Sequence, residues 1–174
     1  MLKNEITYLR ALEPDDIDYL YKWENDPNIW EVSITNTPYS KYTLAKYIAE
    51  TASLDIYEAK QLRLVIVETK TEIPSGLIDI FDFDPTNMRA GVGIAINETK
   101  QRGKKLADNA LKLLIEYCFD VLHLHQLYCN IAVTNKPSIN LFEKNGFIKC
   151  GHLKHWHLNR NGWSDEYILQ LIKN

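Results

Sequence analysis

Residues 91–118, GVGIAINETKQRGKKLADNALKLLIEYC, decide the architecture. A short apolar strand runs into a basic turn and then into a helix, predicted from about Gly103 to Asp120. Leu106, Ala110, Leu113, Leu114, Tyr117 and Val121 share one apolar stripe of that helix. Four of the six residues from Lys100 to Lys105 are cationic. They sit where the first helical turn leaves backbone N–H groups unpaired and the helix dipole is positive, so the junction predicts an anion site suited to a phosphate-bearing ligand. With Gly103 as its one glycine, the turn is neither a Walker loop nor a dinucleotide fingerprint.

Working outward, ITYLRAL (6–12) alternates like a strand, and Glu13-Pro14-Asp15-Asp16 starts a helix that carries Ile17, Leu20, Tyr21 and Trp23. Asn25 to Ser40 lacks a period and reads as a loop, followed by a second helix through Leu44, Tyr47 and Ile48. LRLVIVET, GLIDIFDFD and RAGVGIAIN predict a three-strand antiparallel meander, with turns at 71–75 and 85–88. Beyond the central helix come a strand over 124–133, a short helix from Asn135 to Asn145-Gly146, and a closing hairpin of 152–158 with 163–171. The order β-α-α-β-β-β-α-β-α-β-β predicts one α+β domain over residues 1–174.

Bulk properties narrow the function. The 174 residues, 45% of them apolar, suit one domain with a full core. A net charge of −3 argues against nucleic acid as the main partner and fits a cationic ligand. No stretch approaches the roughly 20 apolar residues of a membrane span, so no membrane partner and a cytoplasmic location are expected. Cys118, Cys129 and Cys150 are widely spaced and read as reduced packing residues. His152, His155 and His157 alternate across a strand with no acid or cysteine to complete a set, so no metal is predicted.

The turn Arg102, Gly103, Lys104, Lys105, Leu106, Ala107 resembles the pyrophosphate loop of the GCN5-related N-acetyltransferases, written Arg/Gln-x-x-Gly-x-Gly/Ala. Lys105 stands where that family usually has its second glycine. Together with LRALEPDD, RAGVGIAI and NKPSINLFEKNGF (135–147), it is similar to the branch holding spermidine and diamine acetyltransferases and ribosomal-protein N-terminal acetyltransferases. The resemblance covers essentially the whole chain. It implies a mixed, mostly antiparallel sheet splayed between the fourth and fifth strands and flanked by helices, with acetyl-CoA in the splay. The pantetheine arm is then expected along Gly93, Ile94, Ala95 and Ile96, and at Asn135, Ser138 and Phe142. Asn135 is equally an ordinary helix cap. The resemblance also implies a homo-oligomer.

Two family positions for proton transfer are altered: relatives often carry Tyr at the place of Phe142 and Glu at the place of Gly91. An alkylammonium of pKa about 10.4 cannot attack until it loses a proton, so another base is needed. Asp79 is the leading candidate. Strict alternation puts it with Leu77, Phe81 and Phe83 on one face, and Asp82 and Asp84 on the other; an apolar setting would raise its pKa. Asp79 and Asp82 fall where polyamine-acetylating relatives tend to carry acids, Asp82 and Asp84 also read as a strand end, and Tyr128 is a possible proton donor. Glu24, Asp26, Trp30 and Glu31 offer acids beside aromatic rings, as a polyamine's ammonium groups require, or an ordinary polar loop. The leading expectation is acetyl transfer from acetyl-CoA directly to a polyamine or diamine such as spermidine. A protein N-terminus as acceptor and a non-catalytic acyl-CoA-binding module are the alternatives.

Overall fold

The computed structural model describes residues 2–27, 37–98, 103, 105–159 and 162–173. In chain order the elements are β1 (Thr7–Ala11), a 3-10 turn (Pro14–Asp16), α1 (Ile17–Glu24), α2 (Lys41–Ala52), α3 (Ile56–Ala59), β2 (Leu62–Glu68), β3 (Ile73–Asp84) and β4 (Arg89–Ile96). Next come α4 (Leu106–Glu116), a π turn (Tyr117–Val121), β5 (Gln126–Ala132), α5 (Lys136–Lys144), β6 (Ile148–Asn159) and β7 (Gly162–Ile172). The seven strands form one sheet in the order β1-β2-β3-β4-β5-β7-β6. Every pairing is antiparallel except β4 with β5. That parallel pairing covers only Arg89–Gln126, Ala90–Leu127 and Gly91–Tyr128. Beyond Gly91 the two strands part, which is the expected splay.

Alternation along the strands sends apolar side chains to both faces. Leu64, Ile66, Ile78, Ile80, Val92, Leu127 and Cys129 pack beneath α4 and α5. On the other face Val65, Val67 and Leu77 meet Leu20 and Trp23 of α1 and Leu44 and Ile48 of α2. The Trp23 indole donates to Glu98 (3.0 Å), fixing α1 to the end of β4.

Two departures from the sequence pattern have local causes, and a third concerns a cysteine. The helix anticipated to Asp120 is α-helical only to Glu116, and the wider π turn rotates the residues after it, closing with Leu122 N–H on the Tyr117 carbonyl (3.1 Å). Cys118 is thereby buried and Val121, expected in the apolar stripe, is 61% exposed. In β3 the register slips between Phe81 and Asp84, and Asp82 adopts φ 48°, a left-handed conformation that Asp tolerates better than most residues. The bulge breaks the alternation: Phe83 joins Ile78 and Ile80 in the core, and Asp82 turns toward Tyr128. Cys150, expected to pack, is exposed, whereas Cys118 and Cys129 are buried, with burial pushing the Cys118 thiol up to about 12.

Asp108 in the first turn of α4 locks α4 to α5. Its carboxylate accepts from Lys144 (2.8 Å), Asn145 (3.0 Å) and Lys112 (3.3 Å). Burial opposes the charge, but these donors outweigh it and hold the acid at about 2. A depressed folded-state pKa adds stability that is present above the unfolded value near 4 and is lost as pH falls toward 2; here it amounts to about 2 kcal/mol. Asp108→Asn should therefore lower stability by that amount at pH 7 and by little at pH 2. Denaturant melts at the two pH values check this, and an equal loss at both would contradict it.

Candidate active site

Directly paired residues on neighbouring strands share a face. Arg63 pairs with Asp79, Asp79 with Gly93, Phe81 with Gly91, Gly91 with Tyr128, and Tyr128 with Gln170. The row they make crosses β2, β3, β4, β5 and β7 at the point where β4 and β5 divide. Past that point Gly93, Ile94, Ala95 and Ile96 keep their β3 partners, while no described residue of β5 pairs with them. From Gly93 to Ala95 one backbone edge of β4 thus faces the gap, a template for an extended, amide-bearing ligand.

Two recesses flank the row. The larger, about 600 Å³, is bordered by Asp82, Asp84, Arg89, Tyr128 and Gln170. The smaller, about 180 Å³, is bordered by Tyr47, Arg63, Asp79 and Phe81. The Phe81 ring leans edge-on against Tyr128, with centroids 5.9 Å apart and an interplanar angle of 83°.

The bulge brings Asp82 and Tyr128 into direct contact: Tyr128 Oη donates to Asp82 Oδ2 at 3.0 Å. Burial, then the bond to Asp82 and its charge, push the Tyr128 phenol up to about 12. Asp79 has a different environment from the apolar one anticipated. Arg63 grips both its oxygens (2.8 and 3.2 Å) and also donates to Glu24 (2.8 Å), above the Tyr47 ring. Arg63 is the site residue that sequence reasoning missed, although its place opposite Asp79 follows from counting the β2–β3 register. Burial disfavours its charge, yet Asp79, Tyr47 and Glu24 more than compensate and raise its pKa further. Glu24 is therefore tied to Asp79 through a shared guanidinium. Asp84 closes the β3–β4 turn by accepting from Asn87, in keeping with its reading as a strand end.

At the α4 end, Gly103 (φ 81°) and Lys105 (φ 61°) are both left-handed. That conformation explains why a glycine is natural at position 105. Leu106 is buried in the core, so it and Ala107 offer an anion their backbone N–H groups rather than side chains. The first helical bond of α4 is the one Asn109 donates to the Lys105 carbonyl (3.1 Å). Asn135 caps α5, accepting from the Ser138 N–H (3.2 Å), and Phe142 packs edge-on against Phe147 in the core. Asp26 lies just past α1, its N–H bonded to the Trp23 carbonyl (3.2 Å). Trp30, Glu31, Arg102 and Lys104 lie outside the described residues. Among the described residues no three His, Cys, Asp or Glu side chains converge as a metal set, and no helix is long and apolar enough to cross a membrane. His152 pairs with Asp165 and His157 with Glu166 instead.

Residues 7–148 match the family model described as an acetyltransferase (GNAT) domain. The chain belongs to that family. The acetyltransferase is 27% identical over 165 residues to the spermidine N(1)-acetyltransferase of Vibrio cholerae serotype O1, covering 93% of this chain and 92% of that protein. It is 30% identical over 147 residues to the corresponding Escherichia coli K12 enzyme, covering 84% and 75%. The acetyltransferase fold also superposes on the crystal structure of spermidine N-acetyltransferase from Vibrio cholerae in complex with CoA and spermine. The TM-score is 0.85 at 24% identity, with 97% and 96% of the two chains covered.

Proposed function

We propose that this N-acetyltransferase moves the acetyl group of acetyl-CoA directly to a primary amine of a polyamine such as spermidine. The observation that carries the reading is the edge of β4 from Gly93 to Ala95, which no described residue of β5 pairs, beside a face that holds Asp79, Asp82 and Tyr128. The pantetheine arm would lie along that edge. Asn97 Oδ1, buried and without a hydrogen-bond donor among the described residues, marks its end as a place where an amide N–H is wanted. The α4 N-terminus with Gly103 and Lys105 would take the pyrophosphate. A backbone N–H of β4 would receive the developing oxyanion.

The acceptor amine approaches from the recessed face. A polyamine carries several ammonium groups, and carboxylates on both sides of Phe81 offer them charge-assisted hydrogen bonds. Asp79 and Glu24 share one guanidinium on one side, and Asp82 and Asp84 border Arg89 on the other.

Incubating protein and acetyl-CoA with spermidine, spermine, putrescine and Ala- or Ser-initiated peptides, with products read by mass spectrometry, tests this. Monoacetylated spermidine should form with kcat/KM at least about tenfold above the peptides. A peptide preferred over every polyamine would replace the acceptor assigned here with a protein N-terminus.

A further inference from the structure

The row of side chains at the fork leaves few routes for a proton. β4 contributes Gly91 and Gly93, and position 91 has no room for more: a Cβ there would meet the Phe81 ring at 2.2 Å. Phe81 itself cannot move a proton. Asp79 has both oxygens engaged by Arg63. What remains among the described residues beside the last β4–β5 pair is Tyr128, joined to Asp82 across the bulge.

The geometry points to a two-residue relay, Tyr128 to Asp82, as the proton acceptor of the transfer, with Phe81 as the residue that positions it. This rests on the acetyl-transfer reading above. The amine enters the recess after yielding its ammonium proton to water. Its nitrogen then forms a bond to the thioester carbonyl carbon, whose π pair moves onto oxygen. The nitrogen, now positive and far more acidic than a free alkylammonium, passes a proton to Tyr128 Oη as Tyr128 passes its own to Asp82 Oδ2. The oxyanion collapses, the C–S bond breaks, and its electron pair leaves with the CoA sulfur as thiolate. The products are the amide, the thiolate and one proton on Asp82, which returns to the thiolate or to solvent.

Two structural facts make the pair act as one unit. A phenol pushed up to about 12 stays protonated near neutral pH, so Tyr128 accepts a proton only if it can hand one on. Asp82 is aimed at it by a left-handed bulge, the kind of irregularity that re-aims a side chain next to an active site. Phe81 fills the space over Gly91 and holds the Tyr128 ring by its edge, so ring, glycine and bulge are interdependent.

The test uses the full chain and whichever amine it acetylates best. Asp82→Asn keeps the oxygen that Tyr128 donates to but cannot take a proton. It should lower kcat about 100-fold with KM for acetyl-CoA within twofold, and Tyr128→Phe should do likewise. Phe81→Leu should lower kcat about tenfold with the same unchanged KM, with the fraction of folded protein read by thermal unfolding and acetyl-CoA binding stoichiometry so that loss of active enzyme is separated from a slower step. Phe81→Ala with Gly91→Glu opens the ring's space to a carboxylate. Added to Asp82→Asn, this pair should restore activity at least tenfold over Asp82→Asn alone, with acetyl-CoA binding and thermal unfolding confirming the fold. Asp82→Asn turning over within threefold of the parent overturns the relay whatever the amine. A parent that acetylates only non-polyamine acceptors overturns the polyamine assignment and leaves the relay to be judged on the amine found.

Discussion

Gly76→Ala is expected to lower stability by about 3 kcal/mol and to weaken acetyl-CoA binding at least tenfold. Gly76 is buried in β3 opposite Ile96, and a Cβ there would lie 2.1 Å from the Ala95 carbonyl oxygen and 2.9 Å from Ile96 Cα. Both obstacles are backbone, so no rotamer change relieves them, and the end of β4 must move away from β3. That end is the edge assigned to the pantetheine arm, and it is anchored by Asn97 and Glu98 N–H bonds to the Ser75 carbonyl (3.0 and 3.1 Å). Stability and ligand affinity should therefore fall together. For a chain of this size the stability loss corresponds to a Tm lower by roughly 6–12 °C. Thermal unfolding and isothermal titration with acetyl-CoA measure the two effects. A variant melting within 2 °C of the parent and binding normally would show that β3 and β4 are less tightly apposed than described.

Arg63→Met should be the next most damaging change, and it should come with a ligand signature. The guanidinium is the cation shared by Asp79 and Glu24, whose side chains are 27% and 15% exposed. Removing the guanidinium takes from the partly buried Asp79 the cation that grips both its oxygens, at a cost here of about 3 kcal/mol. Methionine keeps much of the packing over Tyr47, so the loss reports charge more than volume. Once the arginine is gone, an ammonium group is the natural replacement. Spermidine should then raise the Tm of the variant by more than it raises that of the parent, and high salt should erase the difference. Equal stabilisation of both proteins by spermidine would place the polyamine's charges away from Asp79.

Much of this was legible in the chain itself. The run from Gly91 to Cys118 carries its strand and helix in plain periodicity, and the fork between β4 and β5 was expected from the resemblance to the acetyltransferases. The Tyr128–Asp82 contact was not legible, because alternation puts Asp82 on the wrong face and nothing in GLIDIFDFD signals a bulge. The fit between Phe81 and Gly91 was hidden for a related reason: the two meet only through the β3–β4 register, and a missing side chain leaves no pattern to read. Asp79 looked isolated because its partner lies on another strand, where Arg63 resembles any polar residue at a strand's start. The π turn that exposes Val121 likewise falls inside an unbroken helical pattern.

The sheet is also divided along the chain. β1 to β4 come wholly from the first part of the sequence and β5 to β7 from the last, and among the described residues three pairs of backbone ladder join the two wings. Synthesis runs from the N-terminus, so the first wing can close its antiparallel ladders while the second is still being made. Until β5 emerges, the outer edge of β4 is an open strand edge, a surface that invites pairing with other chains. The edge proposed for acetyl-CoA in the finished enzyme is thus the vulnerable edge of the half-made one, and on that proposal a bound co-substrate would close what biosynthesis leaves ajar.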